Sequence, residues 1–297
     1  MLDLHRLRAL VALHHTGTVS AAAAELGYGQ PTVSHHLRRL EAETGSVLLQ
    51  RVGRGVRLTP DGERLARRAE EILALAGRAE TELHAATGLR AGRVRLAAFP
   101  SGAATLVPAA LALLDRHHPD LTVDLTEAEP PEAADLLRAG RVDVALTFTY
   151  PGQPAPDQVT SSTVLTDPLH LVGRDLPAGD ADLTAHAEGR WISGCERCRT
   201  ELLSLCATAG FDPHIGFASD DYVAVQALVA SGFGVTVLPG LALVAHQHPG
   251  VVRRPVPGAT RAVQVSTHGS PPHPPAIGAV ARALAEAAAS PADHRVT

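Results

Sequence analysis

One segment near the amino terminus carries side chains suited to contacting nucleic acid. A helix is expected over residues 30–44, and at about 100° per residue Val33, Leu37 and Leu40 fall together on its apolar side. The opposite side offers hydroxyl, imidazole and guanidinium groups, which contact base edges and phosphates in protein–DNA complexes. These outward residues are Pro31, Thr32, Ser34, His35, Arg38 and Arg39. The pattern predicts a recognition helix for double-stranded DNA; the alternative is a small helical domain with a solvated arginine face.

The elements around this helix are those of a winged helix-turn-helix. Two more helices are expected, over residues 4–15 and 19–26, with Thr18 as the N-cap of the second, and Gly45 ends the third. Residues 47–58 hold two β-type runs around a Gly-Arg-Gly tip, which predicts a hairpin wing with outward arginines. The second helix, the start of the third and the wing add predicted DNA contacts at Ser20, Gln30, Arg51, Arg54 and Arg57.

A long helix is expected behind the wing, over residues 59–87. Its apolar positions step by four and three, at Leu65, Ala69, Ile72, Ala76, Ala79 and Leu83. A repeat of about 3.5 residues is typical of a coiled-coil seam, so this helix is expected to pair with a second copy of the chain. The alternative is a surface helix with a wider apolar stripe, since Leu73 and Leu75 broaden the stripe.

From residue 92 onward, predicted strands and helices alternate, which indicates βαβ units around a parallel sheet. In open α/β sheets, ligands bind beyond the carboxyl ends of the strands, close to helix N-termini. Hydroxyl groups at those ends predict a small, polar, carboxylate-bearing effector, although such hydroxyls also cap helices. The candidate effector-binding residues are Ser101, Gly102, Ala103, Thr126, Thr147, Phe148, Thr149, Ser193 and Thr236.

Two of the three cysteines form a Cys-Glu-Arg-Cys motif at residues 195–198, and Cys206 follows. Such a pair near a helix start can hold a thiolate, which the adjacent arginines would assist. Three interpretations stay open: buried structural thiols, which free cysteines often are; a redox-sensitive site of Cys195, Cys198 and Cys206; or a metal site completed by His214. We assign neither a metal nor a cofactor from the sequence.

Length and composition limit the classes of protein. The chain has 297 residues, 45% of them hydrophobic, and a net charge of −5, which excludes a wholly disordered chain and suggests two or three domains. The first 60 residues hold seven arginines and four acidic residues, so a basic head precedes an acidic body. No apolar run of about 18 residues and no signal-peptide core is present, so a cytoplasmic location is expected. The lack of a signal peptide argues against a solute-binding protein, and the lack of P-loop, GxSxG and HExxH motifs argues against an α/β enzyme.

Residues 4–62 resemble the winged helix-turn-helix of LysR-type transcriptional regulators. The resemblance rests on Thr-Val-Ser-Ala-Ala-Ala from residue 18, Gln-Pro-x-Val-Ser from residue 30, Leu-Glu from residue 40 and Arg-Leu-Thr-x-x-Gly from residue 57. A further match lies in residues 221–239. Family members usually carry serine where Gly29 stands, and often a basic or amide residue where His35 stands. This chain therefore lacks one hydroxyl cap and phosphate contact, and the family's base preference does not carry over.

The resemblance implies an α/β fold: an N-terminal winged helix-turn-helix, a long dimerisation linker helix and a C-terminal two-lobed periplasmic-binding-protein-like effector domain. The expected boundaries are 1–58, 59–88 and 92–290, with lobe I at 93–162 and 268–290 and lobe II at 163–267. It also implies a regulator, not an enzyme, that activates or represses transcription and binds an interrupted palindromic promoter site as a homodimer or dimer of dimers. A small-molecule effector would bind between the lobes, and RNA polymerase is a further candidate partner.

Overall fold

The computed structural model of the chain describes residues 2–52, 55–85, 92–153, 159–269 and 272–289. Two compact units make up the chain: the head unit, Met1–Gly88 with Asp135–Asp143, and the sheet unit, Leu89–Ala134 with Val144–Thr297. Each unit has a hydrophobic core of its own, as expected for separate domains.

The head unit contains the three helices and the hairpin that the sequence predicts, followed by a long helix. These elements are α1 (Leu4–Thr16), α2 (Val19–Leu26), α3 (Gln30–Thr44), β1 (Leu49–Val52), β2 (Gly55–Leu58) and α4 (Pro60–Ala85). Thr18 caps α2 by accepting a hydrogen bond from the N–H of Ala21 at 3.2 Å, and Gly45 ends α3 in the left-handed conformation, with φ at 63°. Leu10 of α1 and Val33 of α3 meet in the core. The predicted helix-turn-helix is confirmed.

The wing is attached to α3 and α4 through backbone groups. Glu41 Oε1 accepts hydrogen bonds from the N–H groups of Leu48 and Leu49, at 2.9 and 3.0 Å. The Thr59 hydroxyl caps α4 by accepting from the N–H of Gly62 at 3.1 Å, and it donates to a carbonyl group just before the wing. A Cβ added at Gly62 would overlap the Leu48 carbonyl oxygen, so glycine is required there. These contacts explain the Leu-Glu and Thr-x-x-Gly parts of the sequence motif.

The apolar stripe of α4 packs partly within the head unit itself. Ala69 is fully buried in the head core, and Leu65 packs against that core. Ile72 and Leu75 are exposed instead, by 37% and 63%. The side chains of residues 78–85 lie outside the described part of the chain. The expected coiled-coil seam is therefore wrong at Ala69, because the core of its own head unit buries this residue.

The sheet unit alternates strands and helices, as the sequence predicts. The elements of this part of the chain are β3 (Gly92–Ala98), α5 (Pro100–His117), β4 (Leu121–Glu127), α6 (Pro130–Arg138), β5 (Val144–Thr149), β6 (Val159–Gly173), β7 (Arg190–Ser193), α7 (Glu196–Thr208), β8 (His214–Ala218), α8 (Tyr222–Ala230), β9 (Thr236–Pro239), α9 (Gly240–Ala245), β10 (Val252–His268) and α10 (Pro275–Ala289). The second half of α6 belongs to the head unit. Buried leucines of α5 and α10, including Leu106 and Leu284, join those of β3 and β5 in one core. No helix in the described ranges is long and apolar enough to cross a membrane.

The main sheet has six strands in the order β4-β3-β5-β10-β6-β9. Strands β3, β4 and β5 are parallel, whereas β10 runs antiparallel to both β5 and β6, and β9 antiparallel to β6. A second, two-stranded sheet pairs β7 and β8 in parallel. The prediction of a parallel sheet is therefore right for β3–β5 and for β7–β8, and wrong for the rest.

Two long strands cause this difference. β6 has 15 residues and β10 has 17, and they pair with each other directly rather than through helical crossovers. The sequence predicts only short strands near 169–172 and 262–267, which are parts of these two. The predicted lobe limit at 162/163 falls inside β6, which therefore runs through both predicted lobes, and the limit at 267/268 falls just before the last residue of β10. The domain boundaries themselves remain a prediction.

Candidate functional site

The outward side of α3 is the candidate DNA-reading surface. Val33 and Leu40 have no exposed surface and Leu37 has only 2%, so these residues fix the helix on the head core. On the other side, Ser34 is half-buried and the remaining predicted contacts are exposed. The exposed residues are Gln30, Pro31, Thr32, His35, Arg38 and Arg39. Ser20, at the start of α2, is exposed as well. The predicted contacts on both helices are thus open to a partner.

The wing presents its two described arginines on opposite faces. Gln50 lies across from Arg57 and Arg51 across from Val56 in the antiparallel pair. Successive side chains of a strand alternate between its faces, so the two exposed arginines point in opposite directions. Both arginines are exposed, in agreement with the predicted outward orientation, but only Arg51 lines the groove beside α3. Arg54, the predicted contact at the wing tip, lies outside the described residues.

A groove of about 390 Å³ runs between α3 and the wing. Its polar lining consists of Ser34, Arg38, Glu41, Gln50 and Arg51. Arg38 Nε donates to the carbonyl oxygen of Ser34 at 3.2 Å, which orients this guanidinium along the helix. Sequence reasoning missed Gln50 and Glu41, because they join the groove only when the hairpin folds back onto α3. The groove places guanidinium and amide donors together, as a site for phosphates and base edges requires.

The sheet unit holds a cavity of about 50 Å³. Its apolar wall consists of Phe99, Pro100, Phe148, Val225, Val237, Leu238, Pro239 and Ala242. Polar groups gather in the rest of the lining: Ser101, Glu129, Cys195, Cys198, Ser219, Asp220, Tyr222 and Arg261. A volume of this size has room for on the order of three or four water molecules. A largely apolar cavity with a few convergent polar groups is the usual form of a small-ligand site.

Arg261 of β10 is a buried cation at this cavity, and its side chain is only 2% exposed. Its Nε donates to Asp167 Oδ2 at 2.8 Å, and its Nη2 donates to Ser101 Oγ at 2.9 Å. The guanidinium also lies over the rings of Phe99 and Phe148, 4.8 and 4.5 Å from their centroids. Burial by itself lowers the pKa of Arg261, but the carboxylate of Asp167 and other nearby groups outweigh it and raise that pKa. Ser101 is therefore held in place by a charged network.

Two of the nine predicted effector-binding residues line the cavity, Ser101 and Phe148. The other seven do not, and they are Gly102, Ala103, Thr126, Thr147, Thr149, Ser193 and Thr236. The hydroxyl of Thr147 is hydrogen-bonded to that of Ser266 at 3.1 Å, and Thr236 donates to a backbone carbonyl of β7 at 2.8 Å. These two hydroxyls bond groups of neighbouring strands, so they neither line the cavity nor cap a helix.

Glu129, between β4 and α6, is a cavity residue that sequence reasoning missed. Its Oε2 is buried and has no hydrogen-bond partner among the described residues. Burial raises the pKa of Glu129, and the neighbouring Cys195 thiol offsets part of that effect. An unpaired buried acceptor is costly, so this oxygen suits a ligand that donates a hydrogen bond. No pattern in the sequence marks Glu129, because it lies in a loop.

Cys195 and Cys198 line the same cavity at the start of α7. Their sulfur atoms are 3.1 Å apart, with Cys195 donating, and Tyr150 donates its hydroxyl hydrogen to Cys198 Sγ at 3.4 Å. Cys206 is fully buried in the hydrophobic core. Within the described ranges, no cluster of three or more His, Cys, Asp and Glu side chains could hold a metal ion, so nothing there supports the alternative with His214.

These two sites define a class of protein: a transcription regulator that joins a DNA-binding head to a ligand-binding unit. The family comparisons agree for both units. Residues 4–63 match the family described as bacterial regulatory helix-turn-helix protein, lysR family, and residues 87–289 match the LysR substrate binding domain. The chain belongs to the LysR family of transcriptional regulators.

Curated relatives and solved structures are similar over most of the chain. The Probable HTH-type transcriptional regulator LrrA of Synechococcus elongatus is 29% identical over 255 residues, which cover 82% of this chain and 83% of the relative. A Probable hydrogen peroxide-inducible genes activator of Streptomyces viridosporus is 32% identical over 254 residues, 81% of this chain and 78% of the relative. A full-length OxyR variant from Pseudomonas aeruginosa superposes with a TM-score of 0.70 at 25% identity, covering 96% and 95% of the two chains. CbnR in complex with its target DNA shares the fold, with a TM-score of 0.66 at 22% identity over 96% and 100% of the chains.

Family membership establishes the general function. The protein is a DNA-binding transcriptional regulator with an effector-binding domain, and its family comprises regulators rather than enzymes. LysR regulators bind DNA, oligomerise and bind small-molecule effectors. The predicted family, fold class and function are confirmed.

Proposed function

We propose that two copies of this regulator bind an interrupted palindromic promoter site, each placing α3 in the major groove, and that a small effector in the cavity controls this activity. The observation that carries the proposal is the exposed polar side of α3, opposite a fully buried apolar side. A regulator of promoter DNA acts in the cytoplasm, as a dimer or dimer of dimers, with RNA polymerase as a candidate partner. The exposed Ile72 and Leu75 of α4 are available to such a dimer.

The DNA-contacting residues divide into two roles by chemistry. Guanidinium groups on exposed long side chains suit the phosphates, and Arg38, Arg39 and the wing arginines have that character. Short polar groups within the helix suit base edges, which gives this role to Ser34 and His35. Phosphate contacts position the protein on any sequence, whereas base contacts discriminate between sequences.

The cavity favours an effector with an apolar body and a polar end that donates a hydrogen bond. The apolar wall fits the body, and the unpaired Oε2 of Glu129 accepts the donated hydrogen. Asp167 already offsets the charge of Arg261, and Glu129 would repel an anion. We therefore propose a small alcohol or amine in place of the carboxylate expected from the strand-end hydroxyls.

Genome-wide footprinting followed by fluorescence anisotropy on the recovered fragments tests the DNA-binding proposal. We expect protected sites with two half-sites related by a dyad, affinity that falls steeply with salt, and a dimer or larger oligomer by analytical ultracentrifugation. A monomeric protein that does not bind promoter fragments at low ionic strength would overturn the proposal.

A thermal-shift panel of small alcohols, amines and carboxylates of equal carbon number tests the effector chemistry. The alcohols or amines should raise the melting temperature, and Glu129→Gln should weaken the response to amines. Glu127→Gln is the matched control, because Glu127 is exposed and does not line the cavity. Stabilisation by the carboxylates alone would show that the assignment of Glu129 is wrong.

A further inference from the structure

The start of α7 brings two thiols almost to bonding distance. Cys195 is the N-cap residue of α7, and Cys198 lies three residues later in its first turn. Their sulfur atoms are 3.1 Å apart, and a disulfide needs about 2.05 Å, so a closure of about 1 Å suffices. A Cβ added at Gly194 would come within 3.2 Å of the Cys198 Cβ, so the glycine keeps room beside this thiol. The two thiols, called the dithiol pair below, are positioned for bonding.

The two members of the dithiol pair differ in acidity. Cys198 Sγ accepts hydrogen bonds from Cys195 and from Tyr150. The hydrogen bond from Cys195 has the largest effect, and with Tyr150 and the charge of Arg261 it overcomes burial and lowers the pKa of Cys198 to about 7. The pKa of Cys195 is raised, first by the hydrogen bond it donates and then by burial. Cys198 is therefore suited to attack a disulfide, and Cys195 to complete the exchange.

The surroundings of the dithiol pair allow exchange and exclude the third cysteine. Both cysteines line the cavity, which is partly open to solvent, and both residues retain some exposed surface, so the site is accessible to a small reagent. The carboxylate of Glu129 lies next to Cys195 and can take its proton. Cys206 lies eight residues beyond Cys198 in the same helix, which is about 12 Å along the axis. That separation exceeds the Cα–Cα limit of about 7 Å for a disulfide, so Cys206 cannot pair with Cys198 while α7 is folded.

We propose that Cys195 and Cys198 form a reversible dithiol–disulfide site in the effector cavity, which exchanges with low-molecular-weight disulfides. In the first step, the Cys198 thiolate attacks one sulfur of RS–SR, forms a mixed disulfide and releases RS⁻, which takes a proton to become RSH. Cys195 then loses its proton to Glu129 and attacks Cys198 Sγ, and the second RS⁻ leaves and takes up that proton. The protein loses two electrons and two hydrogens, and one RS–SR becomes two RSH. The exchange replaces an ionisable thiol at the cavity wall with a neutral disulfide.

Exchange with hydroxyethyl disulfide tests this proposal on the full-length protein. The starting variant is Cys206→Ala, which removes the third thiol and leaves the dithiol pair intact. After incubation near neutral pH, free thiols are blocked with iodoacetamide and the peptides are mapped by mass spectrometry. We expect loss of both free thiols, one internal disulfide between Cys195 and Cys198, and full recovery of the thiols with dithiothreitol. This measurement needs neither DNA nor effector, so its outcome is independent of the proposed function.

Single substitutions in the same background identify the role of each thiol. In Cys195→Ser, the mixed disulfide should accumulate on Cys198, because no thiol remains to displace it. In Cys198→Ser, modification of Cys195 should be at least about tenfold slower than that of Cys198 in Cys195→Ser, because burial still raises the pKa of Cys195 and keeps its thiolate fraction small. Two free thiols after equilibration with excess hydroxyethyl disulfide, or equal rates in the two single variants, would overturn the proposal. Circular dichroism confirms that each variant is folded before the rates are compared.

Discussion

The buried ion pair between Arg261 and Asp167 offers a strong test of the structure. Both side chains are 2% exposed, and Asp167 also accepts the N–H of Leu241 at 3.1 Å through its other oxygen. Asp167→Asn keeps an acceptor for that N–H and removes the negative charge, so it leaves the Arg261 guanidinium buried without a counter-ion. The substitution therefore removes the electrostatic interaction while nearly conserving the volume.

The expected loss of stability is large. Breaking a buried pair by removing one partner costs about 3–5 kcal/mol. For a unit of this size, each kcal/mol moves the melting temperature by roughly 2–4 °C, so Asp167→Asn should melt about 6–20 °C lower. Arg261→Met should cost a similar amount, because it leaves Asp167 as the unpaired charge. The double variant holds neither charge. It should recover about half or more of the stability that the two single variants lose together, which gives a coupling of at least about 2 kcal/mol.

The single tryptophan makes the assay specific to the sheet unit. Trp191 is fully buried in that unit and donates its indole N–H to the His186 carbonyl at 3.0 Å, so its fluorescence reports unfolding there and not in the head. Asp124→Asn, which breaks an exposed ion pair with Arg93, is the control and should leave the melting temperature unchanged. Additive effects of the two single substitutions, or a melting temperature for Asp167→Asn equal to that of the control, would refute the reasoning.

Three further outcomes are expected. Arg38→Ala should weaken binding to all promoter fragments alike and reduce the slope of log affinity against log salt by about one. His35→Ala should instead change the preferred sequence. Equal behaviour of the two variants in anisotropy titrations would contradict the division into phosphate and base contacts. Tyr150→Phe removes a hydrogen bond that lowers the pKa of Cys198. In this variant, the midpoint of the Cys198 alkylation rate against pH should rise above the value near 7 expected for the parent protein. An unchanged midpoint would show that this hydrogen bond does not lower the pKa of Cys198. Gly62→Ala should destabilise the head by more than about 2 kcal/mol, because the new methyl group would overlap a wing carbonyl oxygen; circular dichroism melting that shows no loss would contradict the close approach.

The sequence determined the head unit almost completely, because its signals are local. Thr18, Gly45 and the glycine turn after α2 fix helix ends within a few residues of themselves. The spacing of Val33, Leu37 and Leu40 identifies which side of α3 is buried and therefore which side is free for DNA. The bounds of α2 and α3 follow from these features alone. Family membership followed as well, because its motifs lie in the same short segments.

Only the tertiary structure decided what covers each apolar face and which distant groups meet. The stripe on α4 predicted a partner helix, but spacing cannot distinguish a second chain from the core of the same chain, and the head core buries Ala69. Arg261 meets Asp167 and Ser101 across 94 and 160 residues, and no local pattern encodes such a contact. The pairing of β6 with β10 turned an expected parallel sheet into a mixed one and brought Arg261 to the cavity. Periodicity and capping act within one or two turns of chain, whereas a ligand cavity is made by residues that only folding brings together.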